Sequence, residues 1–407
     1  MKQDLDHLMR ERGLDAMVTM GKLNGNPSLF YMTNGAKVIR AHVFQKAGSP
    51  ALFLSAPIDR EEAAASGMQV LTLNDFDYEN ILKETPDLLA AQVELLRRVF
   101  EHLGVRGRVG FYGAYELNAA WALLNAVQER ISGIEVVPEF EQSIIDVARA
   151  TKDDAEAARI REVGRRTELV FAGTVEYMRS HKVKNETLVK PDGSPLTIGD
   201  MHKEINRLLG EQGLDVPEGI IFAIGRDAGV PHNKGNPPDP MQFGRSIIFD
   251  MGTREMNGGY YYDMTRTFSL GYATDEVQQA YEDVKLAIET VMADFELGAP
   301  VRRYQNLAYD ILESRGHPTT RTDPRGYEGF ITGLGHGIGL AVHEDPFFTA
   351  KETNPHVLKP GMIFTTEPGV YYPSRGFGVR IEDVTWIDGQ GNFHNTTTFP
   401  KELVIPF

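Results

Sequence analysis

Residues 246–271, SIIFDMGTREMNGGYYYDMTRTFSLG, decide the fold. Two runs of β-branched, aromatic and apolar residues flank Asn257-Gly258-Gly259, a strong hairpin signal. Asp250 ends the first apolar run and Asp263 sits in the second. With a two-residue turn on Asn257-Gly258, residue 250 faces 265 and residue 263 faces 252. Strand side chains alternate faces with period two, so both aspartates then point to the same side. A turn on Gly258-Gly259 gives the same parity. The two are diagonal neighbours, about 7–8 Å apart at Cα. Carboxylates crowded among Ile, Phe and Tyr repel each other unless something positive sits between them, and a metal ion does that. Two solvated strand carboxylates are an equal alternative on this segment alone.

Two more segments carry residues of the same chemical kind. In Gly333 to Pro346 (GLGHGIGLAVHEDP), His336 lies between glycines that let the backbone come close to a ligand. His343 follows, and a lone histidine is more often structural than functional. In Lys359 to Asp388 (KPGMIFTTEPGVYYPSRGFGVRIEDVTWID), Glu367 ends an apolar strand just before Pro368-Gly369, and Glu382 sits among Val379, Ile381 and Val384. Acids in such packed strands are costly unless paired or metal-bound. A simple ion pair of Arg380 with Glu382 is the competing explanation. Together the segments offer two Asp, two Glu and one His. Oxygen-rich ligation with one imidazole suits manganese, cobalt or zinc. Four negative charges are too many for one catalytic ion and fit two ions about 3.5–4 Å apart.

Away from these segments, residues 1–150 alternate helices and strands. Met1 to Leu14 reads as an amphipathic helix rather than a signal peptide. Strands are expected at Asp15 to Met20, Ala41 to Gln45, Ala51 to Leu54 and Gly107 to Phe111, with a helix from Leu88 to Leu103. This predicts an α/β N-terminal domain with a mixed sheet. From residue 151 the pattern changes. Thr151 is a candidate N-cap for a long helix to about Ser180. Asn185 to Ile198 reads as a surface loop before a helix from Gly199 to Leu208. Strands around Ile220 to Ile224 and Ser246 to Asp250 precede helices near Asp275 to Phe295 and Arg303 to Arg315. The last eighty residues are rich in strands and turns.

The 407 residues are 42% hydrophobic and 24% charged, enough for a sizeable core without staples. There is no cysteine, which excludes disulfides, thiolate nucleophiles and Cys-ligated zinc and fits the cytoplasm. A net charge of −15 disfavours nucleic acid and anionic membranes as partners.

The hairpin, GHGIGLAVHE, TEPGVYY and VRIED, in that order, resemble the proline-specific metallopeptidases, prolidase and Xaa-Pro aminopeptidase. These share the pita-bread fold with methionine aminopeptidase and creatinase. The resemblance covers roughly residues 150 to 407, and Ser28 to Gly35 (SLFYMTNG) extends it into the family's extra domain. It implies a creatinase-N-like domain over 1–150 and an α+β pita-bread catalytic domain over 151–407. It implies metal ligands at Asp250, Asp263, His336, Glu367 and Glu382 for two divalent ions, manganese foremost, and a bridging hydroxide that attacks the scissile carbonyl. Glu367 would also handle the proton. His343 and His232 would bind the substrate carbonyl and its oxyanion, and Arg380 would orient substrate and ligands. Thr265 would hydrogen-bond a ligand carboxylate, and Tyr371 would line a proline pocket. The substrate would be a small peptide cut before proline, by a dipeptidase or an aminopeptidase, and the protein a cytoplasmic homodimer. The hairpin is one pair of residues longer than the family pattern, which preserves parity. Alternatives are a same-fold, metal-dependent hydrolase or lyase of a small non-peptide compound, a metal-free creatinase-like C–N hydrolase, and a binding protein on a dead scaffold. The complete ligand set argues against the last two.

Overall fold

The hairpin forms in the expected register. In the computed structural model, which describes residues 1–407, Ser246–Glu255 pairs antiparallel with Tyr261–Leu270, placing Asp250 opposite Thr265 and Gly252 opposite Asp263. The tip differs from a two-residue turn. Glu255 and Tyr260 close a four-residue loop, and Asn257, Gly258 and Gly259 all have positive φ. Asn and Gly take such angles with least strain. The larger loop has the same centre, so the register is unchanged.

The chain divides into two compact units, Met1–Arg149 and Ala150–Phe407. In the first, a six-stranded sheet runs in the order Gln69–Thr72, Leu52–Ser55, Arg40–Lys46, Ala16–Lys22, Gly107–Ala114, Ile134–Val137. Only Arg40–Lys46 runs against its neighbours, so the sheet is mixed as expected. Helix Leu88–Leu103 is capped by Asp87, whose carboxylate accepts from the Ala90 N–H, and ends at Gly104 in the left-handed conformation. Its buried face, with Leu95, Leu96, Val99 and Phe100, joins the core of the sheet.

The second unit holds two five-stranded sheets. One has the order Ile221–Ile224, Ser246–Glu255, Tyr261–Leu270, Val404–Ile405, with Leu214–Asp215 paired to the second of these. The other has the order Glu344–Phe347, His336–Gly337, Ile363–Thr366, Asp383–Ile387, Phe393–Asn395. Tyr261–Leu270 is buried along its whole length, because helix Asp154–Arg179 packs on it. Phe249 is the centre of an aromatic cluster, 4.0 Å from Phe171 and 5.2 Å from Phe222 between ring centroids. Helices Asp275–Ala293 and Arg302–Ser314 pack together over the second core.

A long hairpin spans residues 363–387. Ile363–Thr366 pairs with Asp383–Ile387, and Gly369–Tyr372 pairs with Phe377–Arg380, in one continuous register. The ladder breaks between them at Glu367-Pro368. Proline has no N–H to donate, and the Glu367 N–H bonds instead to the Leu334 carbonyl at 2.7 Å. The register therefore sets Glu367 opposite Glu382.

Three local expectations are corrected. The long helix is capped by Asp153, not Thr151: the Asp153 carboxylate accepts from the Glu156 N–H, and Glu156 returns the bond in a capping box. Lys152 is tied by its N–H to the Gly361 carbonyl, so the helix starts after it. The segment read as a surface loop from Asn185 contains the end of a hairpin, Lys182–Lys184 with Thr187–Val189, turned on Asn185 and Glu186 at positive φ. The next helix starts at Ile198, capped by Thr197. No helix is long and apolar enough to cross a membrane.

Candidate metal centre

The two sheets of the second unit meet at a cavity of about 650 Å³. Asp250 and Asp263 enter it from the Ser246–Leu270 hairpin, His336 from its short strand, and Glu367 and Glu382 from the broken hairpin. His343, His232 and Arg380 also line it. Tyr371 does not: it is fully buried, and its hydroxyl accepts from the Arg380 guanidinium at 2.7 Å. The structure thus places Tyr371 behind Arg380 rather than on the cavity wall.

Ligand-type atoms of Asp263, His336 and Glu382 all lie within 4.8 Å of one another. His336 Nε2 is 3.2 Å from Glu367 Oε1 and 3.8 Å from Asp263 Oδ2. Its Nδ1 lies 3.0 Å from the Gly337 carbonyl. A carbonyl can only accept, so Nδ1 carries a proton and Nε2 is the atom turned to the carboxylates. The glycines around His336 serve a different contact from the one expected. A Cβ on Gly335 would stand 2.1 Å from the Thr365 carbonyl oxygen, and one on Gly337 2.0 Å from that of Asp345. They let neighbouring backbone, not a ligand, come close.

Arg380 pairs with Asp250 Oδ2 and not with Glu382. The same guanidinium donates to Thr265 Oγ1 at 3.2 Å. Thr265 in turn donates its hydroxyl proton to Glu382 Oε2 at 2.8 Å. That leaves two carboxylate oxygens, Asp263 Oδ1 and Glu382 Oε1, sealed from solvent and without any donor. Burial pushes the carboxyls of Asp263 and Glu382 well up, and the charge of neighbouring carboxylates adds to it. Burial also acts on Glu367, but the hydrogen bond and charge of His336 outweigh it and hold that carboxyl down. On His336 burial disfavours the cation, and Glu367 more than offsets this, raising it to about 9. Four acids thus face one permanent cation, Arg380. Donor-free buried oxygens beside an imidazole nitrogen fit a divalent cation chemically.

Two supporting residues, Thr365 and Arg266, were not expected from the sequence. Thr365 Oγ1 accepts from the His336 N–H at 3.0 Å and donates to Glu367 Oε1 at 3.4 Å. Arg266, 1% exposed, donates to the Glu382 carbonyl at 2.7 Å and to Asp383 Oδ1 at 2.9 Å. It fixes the backbone that carries Glu382. The Thr265-Arg266-Thr267 run was visible, but a buried arginine among ligands has no period or spacing that marks it.

His343 sits with its ring 4.3 Å from that of His336 and is exposed to the cavity. Burial, and then the His336 cation, lower its pKa, which favours neutral imidazole. Val342, Phe347 and Ile221 supply apolar wall.

The profile of metallopeptidase family M24 matches residues 158–388. A probable dipeptidase of Mycobacterium bovis is 28% identical over 272 residues, 66% of this chain and 64% of that protein, so the match spans just under two thirds of that relative. A Xaa-Pro dipeptidase of Lactobacillus delbrueckii subsp. lactis is 35% identical over 186 residues, 46% of each chain. The solved Xaa-Pro dipeptidase from Bacillus anthracis superimposes with a TM-score of 0.76 at 23% identity, over 99% of this chain and 98% of the other.

Proposed function

Because this chain belongs to metallopeptidase family M24, whose profile spans more than half of it, we propose that it hydrolyses the peptide bond preceding proline. The centre would comprise two divalent ions on Asp250, Asp263, His336, Glu367 and Glu382, with manganese foremost and cobalt or zinc as alternatives. The two sealed oxygens, Asp263 Oδ1 and Glu382 Oε1, carry this proposal, since a buried carboxylate oxygen with no donor calls for a cation. Divalent cations there supply an activated water at neutral pH and Lewis-acid polarisation of the scissile carbonyl.

The remaining steps belong to the protein. Glu367, held ionised beside His336, accepts the proton of the attacking water and returns it to the proline nitrogen. That nitrogen leaves as a secondary amine and must gain a proton. His343 and His232 both line the cavity and are exposed, and in this proposal they donate to the oxyanion. Arg380 holds Asp250 in place, and Tyr371 holds Arg380. An Xaa-Pro bond has no N–H, so the apolar wall would recognise ring shape instead.

A homodimer in the cytoplasm, a small peptide as substrate, and a creatinase-N-like role for residues 1–150 belong to the same proposal. The test is metal analysis of purified protein, then hydrolysis of Ala-Pro, Gly-Pro and a longer Xaa-Pro peptide with added manganese. The expected result is about two ions per chain and cleavage confined to bonds before proline. Full activity after exhaustive chelation, or equal cleavage of Ala-Ala, rejects it.

A further inference from the structure

The first unit has a cavity of its own, about 210 Å³. Its position follows from the sheet. The strands ending at Lys22, Ser55, Thr72 and Ala114 all point the same way. Met20 and Gly21 line the cavity from the end of one, Ser55 from the end of another, and Leu73 and Tyr115 directly follow two more. In open α/β sheets the crevice outside the carboxyl ends of the strands is where ligands bind. The reversed strand contributes its first residue, Arg40, and then His42.

The chemistry of the lining is selective. Phe44, Leu54, Leu95 and Leu96 form an apolar wall. Arg40 is exposed, and no carboxylate of the chain pairs with it. Ser55 is 2% exposed, and its hydroxyl has no hydrogen-bond partner. Burial, reinforced by the Arg40 charge, holds His42 down at about 4, so its ring is neutral and offers one donor and one acceptor. No Asp or Glu lines the cavity, so a bound ammonium group would find no counter-charge.

We propose that this cavity binds a small monocarboxylate with a branched or aromatic apolar body and a neutral keto or hydroxyl group. The carboxylate meets Arg40 at the mouth, the body lies against the Leu95 wall, and the neutral oxygen bonds the Ser55 hydroxyl and the His42 ring. The same geometry rejects the corresponding free amino acid.

The test is titration calorimetry of the full-length protein with 4-methyl-2-oxopentanoate, its 2-hydroxy analogue and L-leucine. The three share one skeleton and differ in the group beside the carboxylate. The expected result is saturable binding of the first two in the millimolar range or tighter, with leucine at least tenfold weaker. Arg40→Gln removes an exposed charge without disturbing packing and should weaken binding at least tenfold. Ser55→Ala should weaken it several-fold. Binding should persist in Asp263→Ala, which separates this cavity from the metal centre. The inference is overturned by no saturable heat up to about 10 mM, by leucine binding as tightly as the keto acid, by wild-type affinity in Arg40→Gln, or by loss of binding in Asp263→Ala.

Discussion

At the scale of single residues, Asp263 Oδ1 and Glu382 Oε1 face no donor, while Asp250, the other hairpin acid, is held by Arg380. Each carboxylate taken from such a cluster removes an anionic oxygen donor from any divalent cation held there. Asp263→Ala and Glu367→Ala are therefore expected to lose bound manganese, measured by metal analysis, and to abolish turnover. Wild-type turnover in either variant would reject the five-residue centre as assigned. His343 touches the His336 ring but lies outside the close group of ligand atoms. His343→Ala should keep its metal while kcat falls about 10²–10³-fold, the cost of one oxyanion donor. Loss of metal instead would make His343 a ligand. The alternation of Asp250 and Asp263 was legible because a strand allows only two faces. The place of Tyr371 was not, because a motif says which residue is present and not which side of an arginine it stands on.

At the scale of elements, the ligand-bearing hairpin is held from behind by aromatic packing. Phe249 stacks on Phe171 and meets Phe222 edge-on, with no exposure. Phe249→Ala should cost about 3–5 kcal/mol, read from chemical denaturation. A cost under about 1 kcal/mol would show that the stack does not support the hairpin. Strand positions in both units could be read from short apolar runs, because burial sets their pattern. The start of the long helix was misplaced because Thr, Lys and Asp are all plausible neighbours of a cap. The bond from the Lys152 N–H to the Gly361 carbonyl, which decides it, lies far off in sequence. Arg266 reaches Glu382 across 116 positions, and no local pattern encodes that contact.

At the scale of the whole molecule, the acidic centre couples stability to pH. Without metal, the folded chain holds His336 at about 9 against an ordinary 6.5. A raised histidine contributes stability that is fully present below pH 6.5 and lost as pH rises through about 9. The raised Asp263 and Glu382 act with the same sign. Tm of chelated protein should therefore fall between about pH 7 and pH 9, and His336→Gln should flatten that slope. Manganese-loaded protein should hold its Tm, because a ligating imidazole has no such proton to lose. An identical slope in wild type and His336→Gln would remove His336 as the cause. The α/β class of the first unit was visible in the alternation of helix and strand signals. The cavity at the strand ends of the first unit was not, since it depends on which strand is reversed.

The gap at Glu367-Pro368 has one more consequence. There the amide of residue 367 is handed to Leu334 and that of residue 382 to Thr265, so four separate stretches of chain are stitched together at one spot. A cation shared by those two glutamates would act as a rivet through all four. Deuterium uptake at these amides should then slow sharply when manganese is added and quicken when it is withdrawn, while the far ends of the same strands keep their pace.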